Sequence, residues 1–139
     1  MAKFSYQPPY KPNQVICGSG PTVVVTGWTV KESLVKYLLP REYAAIGNLY
    51  SPTRGISPLI RNLLANPQVP YLVILNATRE DGNAGSGRCL LDFFRHGFTL
   101  GTGDTGRECW VIRSSIRGYI DREIDGDALE QVRKSLEWQ

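Results

Sequence analysis

The sequence is poor in the residues from which most catalytic and metal sites are built. It holds one histidine, His96, and three widely spaced cysteines, Cys17, Cys89 and Cys109, with no C-x-x-C pair among them. An odd, scattered set of thiols excludes a complete disulfide framework. A zinc site would need all four of these residues without any ligand spacing to support it, so no metal is expected. The thiols read as buried, inert side chains. No Ser-His-Asp set and no Cys-His nucleophile can be assembled on spacing. Glu80 and Asp81 are adjacent and need not converge on one substrate, and His96 reads as a helix-end residue rather than a general base. Neither a P-loop nor a dinucleotide fingerprint is present. Long apolar runs are missing too: none approaches the roughly 20 residues that span a bilayer. The opening MAKFSYQPPYKPNQ has no apolar segment of the kind a signal peptide carries. These absences lead to the expectation of a cytoplasmic protein without a membrane partner, in which binding is favoured over independent catalysis.

What is present is ordinary for one folded domain: 139 residues, 42% hydrophobic and 21% charged. Lysine is scarce, so eleven of the sixteen basic residues are arginine. The net charge of +3 is too mild for a nucleic-acid coat. Arginine's planar fork suits carboxylates and phosphates better than lysine's point charge does.

Residues 1–20, with Pro8, Pro9, Pro12 and the closing Gly18-Ser19-Gly20, suggest an extended arm that drapes over the domain or a neighbouring subunit. Residues 21–139 then read as a single α/β ligand-binding domain. Thr22–Thr26 is a short β-branched strand, and Thr29 caps a helix over about 30–39 that Pro40 stops. A second strand is expected at Tyr43–Ile46. Ser57 then caps a helix with Pro58 at its first position and Asn66-Pro67 at its end. Tyr71–Leu75 is the clearest strand. A helix over about 88–96 follows a long polar loop, with Cys89, Leu90, Phe93 and Phe94 inward and His96-Gly97 as its stop. Gly101–Gly106 reads as a hairpin-like turn, Cys109–Ile112 as a strand, and Gly118–Gly126 as irregular or partly helical. Asp127 caps a last helix running to Trp138. Alternating strands and helices predict a mostly parallel sheet covered on both faces, a Rossmann-like, doubly wound three-layer sandwich.

In such sheets ligands bind beyond the carboxyl ends of the strands. That rule selects four loops: Gly27–Thr29, Gly47–Gly55, Asn76–Gly87, and the turn after Ile112. The predicted ligand-binding residues are Thr26, Gly27 and Trp28 on the first; Asn48, Tyr50, Ser51, Thr53 and Arg54 on the second; Asn76, Arg79, Asn83, Gly85, Ser86, Gly87 and Arg88 on the third; and Arg113 on the fourth. Glycines let backbone N–H groups approach an anion, and the helix start adds partial positive charge. The reading is an accessory, regulatory or sequestering domain for an anionic metabolite, most plausibly a nucleotide or phosphorylated compound, acting as a homo-oligomer or with a partner enzyme.

Three stretches carry a family resemblance: Ala45–Ser51, Gly55–Pro67 and Tyr71–Leu75. In these the chain resembles the A subunit of tetrahydromethanopterin S-methyltransferase and related uncharacterised domains, some of which occur alongside thymidylate-synthase-like enzymes. The likeness runs from about Val23 to Gly97, with a weaker echo in Asp127–Val132. It implies a corrinoid-carrying domain, or a subunit of a thymidylate-synthase-like or one-carbon-transfer enzyme. In that family a histidine in the loop after the third strand is the lower cobalt ligand. The matching region here is Asp81–Gly87, one residue longer, and Asn83 stands in place of the imidazole. No run in this sequence matches that subunit's membrane anchor.

Overall fold

A computed structural model describes residues 4–6, 15–27, 31–75 and 85–139. Its elements, in chain order, are β1 (Val15–Cys17), β2 (Thr22–Thr26), α1 (Lys31–Val35), β3 (Tyr43–Asn48), α2 (Ile56–Ala65), β4 (Tyr71–Leu75), α3 (Ser86–His96), β5 (Phe98–Thr102), β6 (Glu108–Ile112), β7 (Tyr119–Asp121), α4 (Gly126–Ser135) and β8 (Glu137–Trp138).

The chain is an α/β protein with a mostly parallel sheet. The five strands lie in the order β1-β3-β2-β4-β8; β2 runs parallel to both β3 and β4, β8 runs parallel to β4, and β1 alone is antiparallel. The β-branched run Val23-Val24-Val25 occupies the centre because it can be buried on both sides. Val23 and Val25 pack into the main core with Leu72 and Ile74, α2 (Ile56, Ile60, Leu63), α3 (Leu90, Phe93, Phe94) and α4 (Leu129, Val132). Val24 joins Tyr43 and Ile46 in a second cluster, against Leu34 and Val35 of α1. No helix among the described residues is long and apolar enough to cross a membrane.

Several elements differ from the sequence reading. The helix expected over 30–39 is described only over Lys31–Val35. Beyond it the bonds tighten to the i+3 pattern (Tyr37 N to Leu34 O, 3.0 Å; Leu38 N to Val35 O, 3.4 Å), and Tyr37 is 85% exposed. Ser57 is not a cap: Gly55 precedes α2, and the buried Ser57 hydroxyl instead accepts from Asp121 N at 2.9 Å. Cys109–Ile112 is a strand but not one of the parallel set. It forms a separate antiparallel sheet, β5-β6-β7, whose outer members fall on segments read as connection and irregular chain. The turn 103–107 is indeed a hairpin turn. Asp125 rather than Asp127 holds the position before α4, and Trp138 leaves the helix to pair beside Leu72 and stack on Phe94.

The arm is anchored on its own domain at both described stretches. Val15–Cys17 hydrogen-bonds to β3, and Phe4 is buried in the main core. The Asn66 side chain accepts from Ser5 N (2.7 Å) and donates to Ser5 O (2.9 Å). Asn66 thus ends α2 and ties down the arm with one buried amide. The end of α3 is set by Gly97 at φ 85°, a left-handed value that glycine adopts without a Cβ clash.

Candidate functional site

The first crossover leaves β2 towards β3, and the next returns past β2 to β4. The connections from β2 and β4, neighbours in the sheet, therefore lead to opposite faces: α1 lies on the Val24 side and α3 on the Val23 and Val25 side. Such a reversal opens a crevice at the strands' carboxyl ends, where ligands of open α/β sheets bind.

Thr26 ends the central strand at this point, in register with Asn48 on β3 and Leu75 on β4. It is 1% exposed, and its hydroxyl has no hydrogen-bond partner among the described residues. Gly27 is buried and its carbonyl accepts from Asn48 Nδ2 at 2.9 Å, which ties the ends of β2 and β3 together. Leu49 N donates to Thr26 O at 2.7 Å and turns the chain back across the edge.

Across the sheet, α3 begins at the same edge. Gly85 precedes it at φ 74°, and Gly85, Ser86 and Gly87 are all buried. Ser86 is fully buried, and its hydroxyl is likewise without a partner among the described residues. A helix's first-turn N–H groups have no intrahelical acceptors, so donors and the positive end of the helix dipole gather here.

The β6–β7 connection seals one side of this helix start. Ile116 lies against Gly85, so that a Cβ on Gly85 would stand 3.0 Å from the Ile116 side chain. Cys89 Sγ donates to Ile116 O at 3.5 Å. Ser114 Oγ donates to Asp92 Oδ2 at 2.6 Å and accepts from Ile116 N at 3.0 Å. Gly118 packs directly on Cys89 Sγ, and Tyr119 N donates to Pro52 O at 3.2 Å. The loops 50–55 and 112–118 and the start of α3 thus form one packed block. Burial, with a smaller push from the Asp92 carboxylate, raises the Cys89 thiol from the ordinary 9.0 to about 11.

This packing separates the predicted residues into groups. Thr26, Gly27, Asn48, Gly85, Ser86 and Gly87 lie at the sheet edge or the helix start. Ser51 and Thr53 satisfy each other: their hydroxyls are 3.0 Å apart, and Thr53 N donates to Ser51 Oγ at 3.3 Å, which is turn chemistry. Tyr50, Arg54, Arg88 and Arg113 are exposed. Arg88 Nε stands 4.0 Å from Asp92, whereas Arg54 and Arg113 make no ion pair among the described residues. Trp28, Asn76, Arg79 and Asn83 lie outside the described residues. Asp92, Ser114 and Ile116 fasten the covering loop; the sequence places Ser114 on the candidate turn after Ile112 but does not single out Asp92 or Ile116. The signal was a carboxylate placed four residues from both Arg88 and His96 on a helix whose inner face is apolar.

The only imidazole of the chain does not serve this edge. His96 closes α3 at its far end, about 16 Å from Gly85 by helix rise, with Nε2 3.9 Å from Asp92 Oδ1. The described residues therefore do not fit a corrinoid held through histidine. Among them no group of three or more His, Cys, Asp or Glu side chains could hold a metal ion. No family model matches the chain, and no curated protein sequence matches it.

Proposed function

We propose that this chain is a binding domain for a small anionic ligand, a nucleotide or other phosphorylated metabolite, held at the crevice between the carboxyl ends of β2 and β4. On this reading the fold is a Rossmann-like, doubly wound three-layer sandwich, and the protein acts by binding, as an accessory, regulatory or sequestering component. The observation that carries the proposal is a pair of buried hydroxyls without partners among the described residues, Ser86 Oγ in the first turn of α3 and Thr26 Oγ1 at the end of β2. A buried hydroxyl left unbonded costs about 1–3 kcal/mol, a cost that a ligand oxygen relieves. The helix dipole favours negative charge at one of them. Exposed Arg88 in the first turn of α3 and exposed Arg54 on the 50–55 loop supply cations near this edge, whereas Arg113 N is bonded to Gly97 O at the far end of α3.

Calorimetric titration and thermal melting of the full chain with inorganic phosphate, AMP and ADP test the reading. Binding heat and a rise in Tm are expected. Ser86→Ala and Thr26→Val should weaken binding by about tenfold each. The same substitutions should leave the free protein as stable as before, or slightly more so, because each removes an unsatisfied group. The reading fails if none of the three compounds gives heat or a melting shift.

A further inference from the structure

The net charge of +3 hides a local excess. Arg61 pairs with Asp121 and Glu123, and Arg122 with Glu108. Along the outer face of α3 the arginines are not matched in this way. Arg88 and Arg95 are both exposed there. Seven residues apart on one helix, they fall within about 20° of each other around the axis and about 10 Å apart along it. Arg95 makes no ion pair among the described residues, and its guanidinium lies over the Trp138 ring, 5.7 Å from the centre. The one carboxylate of α3, Asp92, is 8% exposed, stands 4.0 Å from Arg88 Nε and already takes the Ser114 hydroxyl.

The turn after β6 extends this surface. Arg113 N donates to Gly97 O, Ser114 bonds Asp92, and Ile116 packs on Gly85, so residues 113–116 follow α3 from its end back to its start. Arg113 on this turn is exposed and makes no ion pair among the described residues. At the helix start, Gly118 meets Pro52 O, which brings the 50–55 loop and exposed Arg54 alongside. Arg54, Arg88, Arg95 and Arg113 therefore border one elongated surface, about 16 Å long by helix rise. Its neighbours Arg117 and Arg133 are held by Asp104 and Glu130 and add no net charge.

We propose that this face binds single-stranded nucleic acid, with the phosphate backbone running along α3 over Arg88 and Arg95 and reaching Arg54 at one end and Arg113 at the other. Guanidinium forks match phosphate oxygens, and a strand laid along a surface needs a row of them rather than a single pocket. Tyr50, 50% exposed and four residues before Arg54, supplies a ring on which a base can stack. A bilayer fits less well, because α3 exposes no large apolar side chain to enter it. A duplex fits less well too. The turn at 113–116 flanks α3 on one side and Trp138 on the other, so the helix does not stand clear to enter a major groove. Arg95 and Arg113 stand at the end of α3 away from the crevice, so strand binding does not depend on a ligand there.

Fluorescence anisotropy of the full chain with labelled single strands of dT or U, about 12 nucleotides long, reads this out. Affinity should fall by about fiftyfold between 50 and 200 mM salt, the dependence expected of four phosphate contacts on a single strand. Arg95→Gln and Arg113→Gln should each weaken binding severalfold and lower the salt slope by about 0.7. Arg41→Gln removes the same charge from the connection between α1 and β3 and should change neither. Melting curves confirm that the variants fold. No binding at 50 mM salt overturns the proposal, as does an Arg41→Gln variant weakened as much as the other two. A duplex of the same length, or phosphatidylserine vesicles, bound as tightly as the single strand also overturns it.

Discussion

Cys89 shows how a buried thiol is tuned by its surroundings. It is fully buried between α3 and the β6–β7 loop, and burial lifts its thiol to about 11. The unfolded chain releases this proton from about pH 9 upward while the folded chain keeps it. The associated stability is therefore fully present below pH 9 and is lost as pH climbs towards 11. Urea unfolding between pH 8 and 11 should show a fall of the order of 2 kcal/mol that Cys89→Ala lacks, measured as the difference between the two proteins. The same burial predicts that Cys89 resists alkylation in the native state until unfolding exposes it. Ser86 and Thr26 are the opposite case. The sequence names both as ligand-binding candidates from their places at a strand end and a helix entry, and their burial without partners among the described residues is what tertiary structure adds.

At the scale of elements, the β6–β7 loop is fixed by the close fit of Gly118 against Cys89 and Pro52 O. A Cβ on Gly118 would overlap Cys89 Sγ and stand 3.2 Å from Pro52 O. Gly118→Ala should cost about 2–3 kcal/mol. Gly106→Ala meets nothing within 4 Å and should cost only the penalty of its left-handed φ of 77°, about 1 kcal/mol. Because Gly118 and Cys89 share one contact, the double variant Gly118→Ala with Cys89→Ala should recover part of the loss in a double-mutant cycle. The parallel strands could be read directly, since Val23-Val24-Val25 and Leu72-Val73-Ile74 carry β-branched and apolar residues suited to burial on both faces. The second sheet could not. Phe98–Thr102 contains a glycine, β7 is three residues long, and neither has enough apolar side chains to separate strand from connection.

At the scale of the whole molecule, the arm is a structural tie. Phe4 is 7% exposed within the main core, and the buried Asn66 amide holds Ser5 by two hydrogen bonds. Phe4→Ala should lower the unfolding free energy by about 3 kcal/mol in a denaturant titration. It should leave the solution mass unchanged, because the tie is to the chain's own α2 and not to a neighbour. The arm's composition announced an extended segment but not its dock. Which surface it meets depends on where α2 ends, and Asn66 sits far from Ser5 in sequence.

The sequence by itself determined the α/β class, the parallel strands and the edge of the sheet at which a ligand is to be sought. Strand burial, helix stops and crossover handedness are local or nearly local effects, written in runs of a few residues. Tertiary structure alone decided that Ser51 and Thr53 bond each other while Ser86 and Thr26 bond nothing among the described residues. It also decided that Ile116 covers the start of α3, and that no described strand pairs with the outer side of β5. Each of these depends on which distant segment arrives to satisfy or leave a polar group, and no local pattern encodes that arrival.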